Sequence, residues 1–159
     1  MKINEDLKRR ILQLRFRQTE EEDKEFITLI KKFKNDCNRD AATILMKTFT
    51  SEEDFGVQEI VVSVLESADK AIYYQALLEE LPRLISEAPD WAESLLEIGI
   101  NFYPEKLAEV FYHVDDRNQQ VFLNYICSDC FLKEYPRSRE LINLLKKTDP
   151  PCQTLPLTG

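Results

Sequence analysis

The sequence predicts an all-α protein of about nine short helices, arranged as stacked antiparallel pairs. Apolar residues recur at three- and four-residue spacing along almost every stretch up to residue 147. Residues that commonly begin helices precede several of these stretches. One stretch, the β-branched run 57–65, could also be interpreted as a strand. With 159 residues, the chain fits one domain, which we place at residues 1–147, followed by a flexible tail at 148–159.

Three helices are expected within the first 50 residues. The first covers residues 7–14, and the second follows Thr19, which forms a capping box with Glu22. Asp40 is expected to open the third. The apolar stripes of these helices comprise Leu7, Ile11, Leu14, Phe26, Leu29, Ile30, Phe33, Ile44, Leu45 and Phe49.

Two helices are expected in the middle of the chain. Ser51 and Asp54 repeat the capping pattern ahead of residues 57–65, whose spacing favours a helix over a strand. Asp69 is expected to cap a longer helix, in which Pro82 removes one backbone hydrogen bond and predicts a kink.

Four further helices complete the prediction. Pro89 and Pro104 suit the first turn of a helix, and either Asp115 or Asp116 caps the next. Pro136 is expected to open the last helix, whose basic end suits the helix dipole. The apolar stripes of these four helices comprise Trp91, Leu95, Ile98, Phe102, Leu107, Val110, Phe111, Val114, Val121, Phe122, Tyr125, Ile126, Leu141, Ile142, Leu144 and Leu145.

The regular alternation of short helices and tight turns indicates helical pairs stacked along one axis. A loose internal match supports this arrangement, because the pattern that begins at Phe55 resembles the one that begins at Trp91. An irregular helical bundle is the alternative.

The composition argues against catalysis and against a cofactor or metal. The chain has 3 glycines and 1 histidine, and it contains no phosphate-binding glycine motif or nucleophile motif. Cys127 and Cys130 have the only metal-like spacing, but a structural zinc needs four ligands and no second pair exists. We interpret these cysteines as ordinary thiols and His113 as a surface histidine. An enzyme that uses any of the three residues is the minor alternative.

The N-terminus lacks the apolar run of a secretory signal, and no stretch has the length of a transmembrane helix. We therefore expect a cytoplasmic protein whose four cysteines, Cys37, Cys127, Cys130 and Cys152, are free thiols. The last five residues, Leu155 to Gly159, match the pattern cut by sortases, without the hydrophobic span that follows in a sorting signal. Whether this motif is native or an added tag stays open.

Charge is unevenly distributed along the chain. Residues 1–50 hold 12 basic and 9 acidic side chains, residues 51–116 hold 3 and 16, and residues 117–159 hold 6 and 4. The central segment thus carries a net charge of −13 between ends of +3 and +2. This charge argues against nucleic acid or an anionic membrane as partner and favours a basic protein. A solvated acidic face without a partner is the alternative.

Tyrosines among carboxylates suit the centre of a protein-binding patch, because they add contact area at a low cost in entropy. We expect such a patch on residues that lie off the apolar stripes of the central helices. These candidate partner-binding residues are Ile72, Tyr73, Glu79, Glu80, Glu109, Tyr112, Asp115 and Asp116.

The chain resembles the HEAT-like, all-helical immunity proteins of bacterial polymorphic-toxin and contact-dependent growth inhibition systems. The resemblance rests on residues 51–55 leading into the helix 57–65, and on the helix that contains Leu81-Pro82-Arg83-Leu84. It covers roughly residues 20–147 and implies a HEAT-like α-solenoid that binds and neutralises one cognate toxin, with no catalytic residues. A basic toxin, of which a nuclease is one example, fits the acidic segment. A general helical-repeat adaptor or scaffold is the alternative.

Overall fold

The computed structural model describes residues 2–148 and confirms an all-helical fold. Its described part contains 10 α-helices, one short 3-10 helix at Leu14–Phe16 and no strand. The α-helices are α1 (Glu5–Gln13), α2 (Glu20–Lys31), α3 (Arg39–Met46), α4 (Val57–Leu65), α5 (Lys70–Glu87), α6 (Pro89–Phe102), α7 (Pro104–Phe111), α8 (Asp116–Ile126), α9 (Asp129–Glu134) and α10 (Ser138–Thr148). Thr148 ends α10, and the rest of the expected tail, with Cys152 and the Leu155–Gly159 motif, lies outside the described residues.

Helices two apart in the chain pack side by side. α3 packs against α5 and α5 against α7, while α2 packs against α4. Consecutive helices are joined by single residues and also contact each other: Ala88 alone joins α5 to α6, and Tyr103 alone joins α6 to α7. The result is the solenoid-like stacking of short helices that the sequence predicts.

The longest helix, α5, lies at the centre of the packing. It contacts α3, α6, α7 and α8, and its buried residues therefore point in more than one direction. Tyr74, Leu77 and Leu81 are each at most 1% exposed. Burial of one such side chain stabilises the fold by about 1.5–3 kcal/mol, so α5 contributes much of the apolar core.

Most of the predicted helix starts are confirmed. The Thr19 side chain accepts a hydrogen bond from the Glu22 N–H, and Asp69 and Asp115 cap α5 and α8 in the same way. Pro89 and Pro104 occupy first turns, where a missing N–H leaves no bond unmade.

Two predicted starts are wrong by one or two residues. α3 is capped by Asn38, whose side chain accepts a hydrogen bond from the Ala41 N–H at 3.0 Å, rather than by Asp40. α10 begins at Ser138, because Pro136 lies in the turn before it.

Three further expectations are corrected. Ser51 and Asp54 do not cap α4, which begins after Gly56, so residues 51–56 form a loop. Phe102 is 71% exposed at the last position of α6, where it lines the rim of a surface cavity instead of the core. The short helix α9 was not expected, and Cys127 and Cys130 therefore do not share one helix.

Candidate functional site

Glu79 and Glu80, predicted to face a partner, are both bonded within the chain. The Glu79 carboxylate accepts hydrogen bonds from Arg39 at 3.1 Å and from Gln75 Nε2 at 3.0 Å. The Glu80 side chain is 14% exposed and accepts a bond from Arg83 Nε at 2.8 Å. Because Arg83 also donates a hydrogen bond to the Met46 carbonyl of α3, Glu80 takes part in the contact between α3 and α5, which corrects its expected surface position.

Tyr73 is also misplaced by the prediction, because its side chain is only 3% exposed. It packs edge-on against Tyr74 with ring centroids 4.8 Å apart, and burial raises the pKa of its hydroxyl. Ile72 beside it is half-buried against the core. Since α5 has neighbours on several sides, residues that lie off its main stripe are covered as well.

The predicted residues of α7 and α8 are more accessible. Tyr112 is half-buried and donates a hydrogen bond from its hydroxyl to the Leu145 carbonyl at 2.7 Å, which ties α7 to α10. Glu109 is exposed and lies 2.8 Å from Lys106 Nζ. Asp115 and Asp116 are exposed at the start of α8, where Asp115 is the cap. We call Glu109, Asp115 and Asp116 the α7–α8 carboxylates.

A surface groove that the prediction missed lies between the loop 50–56 and the starts of α4 and α6. Its volume is about 550 Å³, and no lysine or arginine lines it. Five carboxylates line it, together with the half-buried Trp91 and the exposed Phe55. We call this feature the acidic groove; its carboxylates are Glu52, Glu53, Asp54, Glu59 and Asp90.

The loop at the groove is held by a buried amide. Gln58 is 2% exposed; its Oε1 accepts a hydrogen bond from the Thr50 N–H at 2.7 Å, and its Nε2 donates to the Glu52 carbonyl at 3.1 Å. The Thr50 hydroxyl oxygen accepts a further bond from the Glu52 N–H at 3.3 Å. These bonds attach the start of the loop to α4.

Arg17 holds the end of the loop from the other side. Its side chain is 4% exposed and forms an ion pair with Asp54, and its Nε lies 2.7 Å from a carboxylate oxygen of Asp23. The guanidinium also lies over the ring of Phe26, 4.3 Å from the centroid. Burial between two carboxylates and an aromatic face fixes Arg17, and with it Asp54.

Phe55 projects from this fixed loop with 98% of its surface exposed. Its backbone is left-handed, with a φ of 53°, and Gly56 follows with a φ of 95°. A phenylalanine in this conformation costs roughly 1–2 kcal/mol, a cost that glycine does not have. A second cavity of about 240 Å³ lies beside the same loop and is lined in part by Phe16.

Within residues 2–148, the cysteines and the histidine do not form a recognisable site. Cys127 and Cys130 are exposed, whereas Cys37 is buried, which raises the pKa of its thiol to about 11. His113 is exposed just after α7. Among residues 2–148, no group of three or more histidine, cysteine, aspartate or glutamate side chains is placed to hold a metal ion. None of the helices described above combines the length and apolar character needed to cross a membrane.

A comparison of the sequence with models of protein families gave a match. The model described as Immunity protein 30 matches residues 13–120, more than half of the chain. The chain belongs to the Immunity protein 30 family. The sequence-based resemblance to bacterial immunity proteins of toxin systems is thereby confirmed. Comparisons with curated proteins and with solved structures gave no match.

The matched segment of this Immunity protein 30 family member runs from the end of α1 into α8. It contains the acidic groove, the buried Arg17 and the α7–α8 carboxylates. Both exposed acidic regions described above therefore belong to the part of the chain that the family shares.

Proposed function

We propose that this chain neutralises a cognate toxin by binding it directly, as a stoichiometric inhibitor rather than as an enzyme. The observation that carries the proposal is the family match over residues 13–120. The proposal includes the expectations of a HEAT-like repeat, of a role in contact-dependent growth inhibition and of a cytoplasmic site of action. A protein that blocks another by contact needs a large complementary surface and no reacting groups.

We further propose that the toxin domain is basic and faces the central acidic segment. Residues 51–116 carry a net charge of −13, from 3 basic and 16 acidic side chains. A field of this sign speeds the encounter with a positively charged protein and slows it with nucleic acid. A nuclease toxin is one example, because it needs basic residues to bind phosphates.

Within the predicted patch, the proposal now rests on the α7–α8 carboxylates. Glu109, Asp115 and Asp116 are exposed, whereas Tyr73 is buried and Glu80 is bonded to Arg83. Reversal of the charge of Glu80 would break a shielded ion pair and would not report on binding alone. The ion pair of Glu109 with Lys106 is solvent-exposed and contributes little to stability, so Glu109 remains a usable test position. Asp115 is best left intact too, since its side chain caps α8.

The test first identifies the toxin as a single stoichiometric partner in a pull-down with the intact chain, and then measures growth protection and affinity for the toxin domain of that partner. The double variant Glu109→Lys/Asp116→Lys should weaken binding by roughly 10-fold or more and flatten its dependence on salt. The matched control is Glu21→Lys/Glu134→Lys, which makes the same change in net charge on exposed helix positions outside the central segment.

Equal losses in the two double variants would contradict a local acidic surface, because net charge alone would then explain the effect. An unchanged affinity after the central reversal would contradict it as well. If the intact chain neither binds nor protects, and instead captures several weak partners, the immunity function itself is wrong and the adaptor interpretation applies.

A further inference from the structure

We propose that the acidic groove, with Phe55 on its rim, is the docking surface for an arginine-bearing segment of the toxin domain. This inference rests on the proposed function and adds the contact residues and the chemistry of the segment that they receive. It concerns residues that the charge pattern alone did not single out, and it follows from three properties of the groove: charge, aromatic surface and rigidity.

The first property is uncompensated charge. Of the five groove carboxylates, Asp54 pairs with Arg17, whereas Glu52, Glu53, Glu59 and Asp90 form no ion pair within the described residues. These carboxylates lie beside the starts of α4 and α6, where the helix dipoles favour negative charge. The dipoles therefore offset part of the electrostatic repulsion between the carboxylates. A cationic partner would remove the remaining repulsion and would find no competing lysine or arginine in the lining.

The second property is aromatic surface among the carboxylates. Phe55 is 98% exposed, and the half-buried Trp91 is supported by the ring of Phe49, with centroids 4.9 Å apart. A guanidinium stacks on aromatic faces and bonds carboxylates in a bidentate manner, whereas an ammonium group does so less well. The combination therefore favours arginine over lysine. At about 550 Å³ the groove has the size of a ligand pocket, which is ample for an arginine side chain.

The third property is rigidity. Gln58 holds the start of the loop and Arg17 holds Asp54, so Phe55 is held in its left-handed backbone by contacts outside the loop tip. A conformation that costs free energy persists only where its surroundings impose it, and such residues concentrate at binding sites. A preformed surface loses little entropy when a partner binds, which raises affinity.

The chain has a single tryptophan, Trp91, and it lies in the groove, so its fluorescence reports on this site. We would titrate the full chain with a short Gly-Arg repeat peptide and compare Gly-Lys and Gly-Glu peptides of equal length. The expected result is saturable binding that is strongest for Gly-Arg, several-fold weaker for Gly-Lys and absent for Gly-Glu. Equal affinity for Gly-Arg and Gly-Lys, or no response to either, would overturn the assignment to arginine.

Variants separate the groove from general surface effects. Phe55→Ala and Glu52→Gln/Glu53→Gln should each weaken the binding of the Gly-Arg peptide and of the toxin domain by about 10- to 100-fold. The matched control is Phe102→Ala, which removes another exposed phenylalanine from the opposite end of α6 and should leave both affinities unchanged. An equal loss in Phe102→Ala would overturn the proposal.

Phe55→Gly distinguishes binding from stability. Glycine suits the left-handed backbone, so this variant should melt a few degrees higher than the wild type while it binds as weakly as Phe55→Ala. If Phe55→Ala and Phe55→Gly both bind the toxin like the wild type, and Glu109→Lys/Asp116→Lys does not, the groove inference is wrong and the proposed function stands. If the intact chain fails to bind the toxin, the proposed function is wrong, and the peptide titration alone decides whether the groove binds arginine.

Discussion

Arg83 should contribute more to stability than any other single charged side chain that joins α3 to α5. Its guanidinium donates to two backbone carbonyls, those of Met46 and Phe49, each at 3.1 Å. It also bonds Glu80 at 2.8 Å and Glu87 at 3.2 Å. The two carbonyls lie at the end of α3 and just after it, where no N–H of that helix can reach them. The Arg83 side chain of α5 therefore supplies the hydrogen-bond donors that the end of α3 lacks.

The expected cost of Arg83→Met follows from these bonds. A hydrogen bond from a charged donor contributes about 1.5–3 kcal/mol when it is shielded from solvent. The Arg83 side chain is 21% exposed, so water replaces part of what is lost. The Glu80 carboxylate, itself 14% exposed, would keep one cationic partner among the described residues, Lys47 at 4.0 Å. We expect a loss of about 2–4 kcal/mol in the free energy of unfolding.

Urea denaturation and thermal melting followed by circular dichroism measure this loss, which corresponds to a decrease of roughly 5–15 °C in Tm for a domain of this size. Arg83→Lys is the matched control, because it keeps the charge but lacks the planar fork that reaches two carbonyls, and it should lose about half as much. Glu80→Gln should also destabilise, and its affinity for the toxin, measured on folded protein, should stay unchanged. A stability of Arg83→Met within about 0.5 kcal/mol of the wild type would refute the reasoning.

Two further predictions concern packing and thiol chemistry. Gly99→Val should destabilise by about 1–3 kcal/mol in urea denaturation, because a Cβ at that position would lie 2.8 Å from both Leu107 Cδ1 and Tyr74 Cε1; a stability equal to the wild type would show that the core yields there. Iodoacetamide at pH 8 should modify the exposed Cys127 and Cys130 and spare Cys37, whose thiol pKa of about 11 leaves little thiolate. Peptide mass spectrometry gives the rate at each cysteine, and comparable rates for Cys37 and Cys127 in the native protein would contradict its burial.

The parts of the fold that the sequence predicted correctly depend on local interactions. Thr19, Asp69 and Asp115 cap helices through bonds to N–H groups two or three residues away, and Pro89 and Pro104 fit first turns through their own backbone. These signals need no knowledge of the tertiary structure. The six-residue helix α9 escaped prediction because it is too short to show a helical period.

The wrong predictions concern positions whose structure depends on residues far away in the sequence. Ser51 and Asp54 have the spacing of a capping box, but Asp54 pairs with Arg17, 37 residues away, and Gln58 holds the chain ahead of α4 as a loop. Tyr73 lies off the main apolar stripe of α5, yet that helix has neighbours on several sides. A periodic pattern identifies one buried face and says little about a helix that is covered more than once.

Contacts between residues distant in the sequence also determine which carboxylates a partner can reach. The count of −13 for residues 51–116 treats all acidic side chains alike, but several of them are already paired with cations: Glu79 with Arg39, Glu80 with Arg83 and Asp54 with Arg17. Two of these cations, Arg17 and Arg39, come from the first 50 residues, whose net charge is +3. The basic N-terminal segment thus neutralises selected carboxylates of the central helices.

Four of the central carboxylates that form no ion pair within residues 2–148 lie together in the fold. Glu52, Glu53, Glu59 and Asp90 lie beside the starts of α4 and α6, next to Phe55 and Trp91. Net charge along a sequence can predict the sign of a partner, because long-range attraction adds over all groups. It cannot predict the contact surface, which depends on the carboxylates that internal ion pairs leave open. Internal pairing is thus the reason why we propose the groove, rather than the patch that the sequence indicated on α5, as the contact surface.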